Sequence, residues 1–185
     1  MDAAFLHRLD QTTARLQSRQ EMAVLLLEQP SYFKDLIGIA NHPQNKLALK
    51  SIWTIEQAML MDPLCILNYI ELFIETLPEK QDDSSLRSIA KIGSIILSNP
   101  ILKKAFNQLD RKIQMHMVDC NFIWFTEAYR VAVKVHAMEN LSQLCHLEDW
   151  IKPNLIELIE LNYQSQSAAY QARARMVLKR LKKLN

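Results

Sequence analysis

The chain has 185 residues, enough for one domain with a sizeable core, and its 22 Lys and Arg against 20 Asp and Glu leave a net charge of only +2. That charge is too small to indicate nucleic acid by itself. Glycine occurs twice, at Gly38 and Gly93, far below the usual ~7%, which argues against a β-rich fold and against a phosphate-cradling loop.

Residues 1–10 lack a basic stretch followed by an apolar run, so no secretion signal is read there. No apolar stretch is long enough to cross a bilayer, and a cytoplasmic protein with no membrane partner is expected. The three cysteines, Cys65, Cys120 and Cys145, are far apart and form no C-x-x-C pair. They are read as buried free thiols, with no metal and no cofactor expected.

Six prolines punctuate the chain, at 30, 43, 63, 78, 100 and 153. Between them apolar residues recur at i, i+3, i+4 and i+7, the spacing of one helix face. Residues 1–29 are expected to form one or two capping helices. Four helix pairs then follow within a single domain spanning 1–185. The first pair is 31–40 with 45–60, and the second is 63–77 with 84–97. The third is 102–125, broken near Asp110, with 127–145. The last is 152–162 with 167–184. Leu49, Trp53, Ile89, Ala137 and Met176 are expected inside.

The second helices can be laid over one another. Leu47-Ala-Leu-Lys-Ser-Ile-Trp53 aligns with the stretches that begin at Ser84, Val131 and Tyr170. In each, an apolar residue precedes a basic one and another apolar residue follows three positions on. The basic positions are Lys50, Arg87, Lys134 and Arg173, spaced 37, 47 and 39 residues apart. Lys46, Lys91, Arg130 and Arg180 fall on the same helical face, four or seven residues from a member of the row.

This pattern, in register over residues 30–185, resembles the HEAT and armadillo repeats. The resemblance implies an all-α, right-handed α-α superhelix of about four to five stacked helix pairs. Such solenoids usually bind partners on the concave face lined by their second helices, which makes the eight basic residues the candidate binding site. The C-terminal third is similar to something narrower. Val131-Ala-Val-Lys-Val-His-Ala-Met138, Asp149-Trp-Ile-Lys-Pro153 and Gln166-Ser-Ala-Ala-Tyr-Gln-Ala-Arg-Ala-Arg175 resemble a family of small bacterial helical proteins. Those proteins are often labelled adenylosuccinate lyase. The lyase superfamily carries a mobile Gly-Ser-Ser-x-Met-Pro loop, and nothing here matches it. No catalytic set is therefore read, and His116, His136 and His146 are taken as structural or surface residues.

The functional expectation is a non-enzymatic module that takes an acidic protein or peptide on the basic row. A nucleic-acid reading stands beside it, implied by resemblance to HEAT-like alkylpurine DNA glycosylases, although no motif of theirs matches residue by residue. Two readings of the row stay open. It forms a positive groove, or its cations pair with carboxylates at the inter-helix turns. Trp53, Trp124 and Trp150 are read as packing residues rather than as stacking platforms. The cations from Arg173 to Lys183 suit the end of a helix as well as they suit an acidic partner.

Overall fold

The computed structural model describes residues 1–183. About three quarters of the chain is helical, and no strand occurs among the described residues. Among the described residues eleven α-helices follow in chain order. They are α1 (Ala3–Asp10), α2 (Leu16–Glu28), α3 (Phe33–Ala40), α4 (Ala48–Met61), α5 (Ile70–Glu75), α6 (Asp83–Ser98), α7 (Pro100–Phe106), α8 (Arg111–Thr126), α9 (Val131–Leu144), α10 (Ile151–Asn162) and α11 (Ala168–Leu181). Short 3₁₀ segments at Pro30–Tyr32 and Pro63–Tyr69 lead into α3 and α5. Leu184, expected near the end of the last helix, lies outside the described residues.

The helix starts have local causes. Pro30, Pro63 and Pro100 each open a segment, where a missing backbone N–H costs nothing. Asp82 accepts from the backbone N–H groups of Ser84 and Ser85 at 2.9 and 3.0 Å, and Asn99 does the same for Ile101 and Leu102. Asp110 caps α8 through the Lys112 N–H at 2.8 Å, and this is where the expected break in 102–125 falls.

Two boundaries differ from expectation. The helix foreseen over 63–77 is a 3₁₀ turn followed by the short α5. The tighter winding puts residues three apart on one side. Ile66 is thereby buried, and Tyr69 stacks on Phe33 with ring centroids 5.6 Å apart. Residues 127–130, foreseen as helix, stay outside α9. The Arg130 N–H donates to Asp83 Oδ1 at 2.7 Å and holds that residue extended.

The second member of each expected pair packs on the next. Helix α4 lies against α6, α6 against α9, and α9 against α11, with α2 packed on α4 ahead of them. On the other side α3 meets α5, and α5 meets α8. One continuous apolar core runs from Phe5 to Leu181. Of the five residues expected inside, Ile89 and Ala137 are fully buried. Leu49 and Trp53 are half-buried, and the Arg19 guanidinium covers the Trp53 ring from 5.6 Å. Met176 is 63% exposed. Helix α11 turns Tyr170, Ala174, Val177 and Leu181 inward, and no later described helix covers its far side.

Candidate functional site

The stacking of α4, α6, α9 and α11 brings four of the candidate cations to two carboxylates. Glu56 of α4 is only 1% exposed and faces α6. Arg87 and Lys91 stand one turn apart on α6, so both reach it. Lys91 donates to Glu56 Oε1 at 2.7 Å, and Arg87 lies 3.5 Å from Oε2. Burial works against the charge on Glu56. The Lys91 ammonium, the Ser88 hydroxyl and the Arg87 guanidinium outweigh it and hold the carboxyl below its ordinary value.

The same arrangement recurs one helix on. Glu139 of α9 pairs with Arg173 at 3.3 Å and with Arg180 at 2.7 Å, two turns apart on α11. At the edges, Lys50 pairs with Asp10 at 3.0 Å and also donates to the Asp10 carbonyl. Arg130 lies 3.7 Å from Asp83. Lys46 and Lys134 make no ion pair among the described residues.

Lys134 is also set apart by register. It stands two residues, about 200° of helix rotation, from His136. Burial lowers its amine, with Glu127 the charge that opposes the shift. On α9 the residue that joins the row is His136. It lines a cleft of about 310 Å³ with Lys91, Ser94 and Ile95 of α6, Glu139 of α9 and Arg173 of α11. Its imidazole is held below the ordinary histidine value, first by burial and then by the charges of Lys91, Arg87 and Arg173. Glu56 pulls the other way without reversing the result.

Below the cleft a polar network ties α6, α8 and α9 together. The Ser94 hydroxyl donates to Asn140 Oδ1 at 2.7 Å and lies 3.4 Å from His136 Nδ1. The Asn140 amide donates to the Ala90 carbonyl at 2.9 Å and to Asn121 Oδ1 at 3.0 Å. Gly93 makes room for this. A Cβ there would meet Asn140 Nδ2 and Met117 Cε, each at 2.9 Å. The Met117 methyl can move aside, but Asn140 is pinned. Gly93→Ala is therefore expected to destabilise by about 1–3 kcal/mol through overpacking. Gly38→Ala, with nothing within 4 Å, should instead stabilise its helix by up to about 1 kcal/mol. Urea unfolding of both variants checks the contrast, and equal effects would remove the packing explanation.

The other sequence candidates lie elsewhere. His116 Nε2 is 3.2 Å from the Leu77 carbonyl, and His146 Nδ1 is 2.9 Å from the Gln143 carbonyl. The three histidines therefore do not form one centre. All three thiols are free; Cys120 is buried, and Cys65 and Cys145 are half-buried. Burial pushes the Cys65 and Cys120 thiols up to about 12 and Cys145 to about 11. That disfavours the nucleophilic thiolate at neutral pH. Among the described residues no three His, Cys, Asp or Glu side chains converge as metal ligands, and no helix is long and apolar enough to cross a membrane.

Sequence reasoning missed Glu56, Glu139, Ser94 and Asn140. In the folded chain Glu56 sits in a run in which Thr54, Ile55, Gln57, Ala58 and Met59 are all buried. A carboxylate inside such a run implies a cation on the next helix. No protein-family model, no curated protein and no solved structure matches this chain.

Proposed function

We propose that the chain is a HEAT- or armadillo-like helical-repeat module, a right-handed superhelix whose concave face is lined by α4, α6, α9 and α11. It binds an acidic protein or peptide there and performs no chemistry on it. The observation that carries this is the two-to-one pairing of cations with carboxylates. Glu56 holds Arg87 and Lys91, and Glu139 holds Arg173 and Arg180. Each cluster keeps one positive charge in surplus. The pairs fix the cations in place, so little side-chain entropy is lost when a partner arrives.

The nucleic-acid alternative draws less support from the same geometry. Six of the eight candidate cations already carry a carboxylate, which leaves few free charges for a run of phosphates. Lyase chemistry has no support either. The half-buried His136 has Ser94 and Asn140 near it but, among the described residues, no carboxylate hydrogen-bonded to its ring. Purified protein is expected to leave adenylosuccinate intact. Turnover in a spectrophotometric assay that His136→Gln abolishes would overturn this.

Fluorescence anisotropy with labelled acidic peptides, set beside a short DNA duplex, tests the binding reading. Acidic peptides should bind, and binding should weaken steeply as salt rises and the screening length falls from about 10 Å at 0.1 M to about 3 Å at 1 M. Tighter binding of the duplex than of every peptide would move the assignment to nucleic acid.

A further inference from the structure

The cleft between α6, α9 and α11 has a composition that the two ion-pair clusters do not by themselves explain. His136 stands between them. Arg87 and Lys91 face it from α6, Arg173 from α11, Glu56 from α4, and Glu139 stands one turn further along its own helix. These groups sum to three positive and two negative charges around a neutral ring. Arg180, on the far oxygen of Glu139, adds a fourth positive charge nearby. The position beside His136 is thus electropositive and half-enclosed, and the Ser94 hydroxyl supplies a neutral polar neighbour at 3.4 Å.

We infer that this cleft is a seat for one anionic side chain of the acidic partner, a carboxylate or a phosphate, held by Lys91 and Arg173 with His136 as the third donor. The inference rests on the binding reading above and narrows it to one group at one place. The volume of about 310 Å³ sits at the small end of ligand sites and suits a single acidic side chain rather than a folded segment. The apolar edge of Ile95 would lie against the methylenes that carry the charge. Neither cation must abandon its carboxylate completely. Lys91 has three N–H donors and Arg173 has five, so each can bridge its present partner and the incoming anion.

Such an anion changes the state of His136. Burial and then the cations favour the neutral ring, which offers at most one N–H. An anion cancels the surplus field and rewards a second proton on the ring. Binding and protonation are then linked, and each must strengthen the other by the same factor. The seat therefore holds a carboxylate more tightly as pH falls through the histidine range.

The test follows the His136 ring by NMR through a pH titration of the full chain. The probes are N-acetyl-glutamate amide for the carboxylate and inorganic phosphate for the phosphate, each against sodium chloride at matched ionic strength. The expected result is an upward move of the His136 midpoint by half a unit or more with one probe, which corresponds to about threefold tighter binding to the protonated form. Whichever probe acts names the anion. Arg173→Gln should remove the shift while Arg180 still holds Glu139, and Arg173→Lys should restore most of it. An equal shift in chloride, or a full shift in Arg173→Gln, would overturn the site. If acidic peptides bind while His136 does not respond to either probe, the seat is wrong and the binding reading stands. If acidic peptides and both probes fail to bind, the two fall together.

Discussion

Trp124→Ala should lower stability by about 3–5 kcal/mol, the largest loss expected from any single tryptophan in the chain. The indole is only 1% exposed, so its removal leaves a cavity at the back of α8. Its Nε1–H also donates to the carbonyls of Pro78 and Glu79, both at 3.1 Å, and so anchors the connection from α5 to α6. That connection delivers Arg87 and Lys91 to Glu56. Trp53→Ala should cost less, because that ring is half-buried under Arg19. Trp150→Ala should cost least. Its ring is 41% exposed and rests on Phe122 with centroids 5.4 Å apart. Urea unfolding of the three variants should rank them in that order. A Trp124→Ala loss below about 1 kcal/mol would show that α8 is not anchored this way.

Glu56→Gln carries the second large effect, about 2–3 kcal/mol. Removing one partner of a fully buried ion pair costs about 3–5 kcal/mol. Here the stranded cations recover some water, since the Arg87 and Lys91 side chains are 36% and 28% exposed. The pH dependence gives a sharper test. The folded carboxyl is held below its reference value of 4.5. Its contribution is therefore complete above about pH 4.5 and is lost as pH falls through the lower, folded value. Wild type and Glu56→Gln should differ at neutral pH and converge in acid, so the variant has the flatter acid limb. Parallel melting curves across the whole range would mean that Glu56 is not charged in the folded chain.

The helix count and most helix ends were legible because proline and the Asp/Asn caps act locally. Asp110 restarts the helix through its own carboxylate, whatever lies beyond it. What depends on the neighbouring helix was harder to read. Met176 has the spacing of a core residue, yet it faces outward because α11 is the last described helix and nothing packs on its far side. Lys134 fits the repeat by alignment, but the 47-residue interval between Arg87 and Lys134 is the longest of the three. On α9 it is His136 that lines the cleft with Lys91 and Arg173 instead. The row itself was visible as a set of cations. Its carboxylate partners were not, because Glu56 and Glu139 become partners only when α4 meets α6 and α9 meets α11.

The proposed binding rests on surplus charge on the α4–α6–α9–α11 face, and one double variant isolates it. Arg87→Gln with Arg173→Gln removes one cation from each cluster and leaves Lys91 on Glu56 and Arg180 on Glu139. Each change gives up the longer contact of its cluster, at 3.5 and 3.3 Å, made by a side chain at least a third exposed. The stability cost should be about 1 kcal/mol or less apiece, a drop in melting temperature of roughly 8 °C or less for the pair. Measured side by side on the wild type and this variant, acidic-peptide affinity should fall by roughly tenfold or more and lose much of its salt dependence, while the melting temperature moves little. Unchanged affinity with a melting temperature lowered by more than about 10 °C would contradict the account and make the paired cations purely structural.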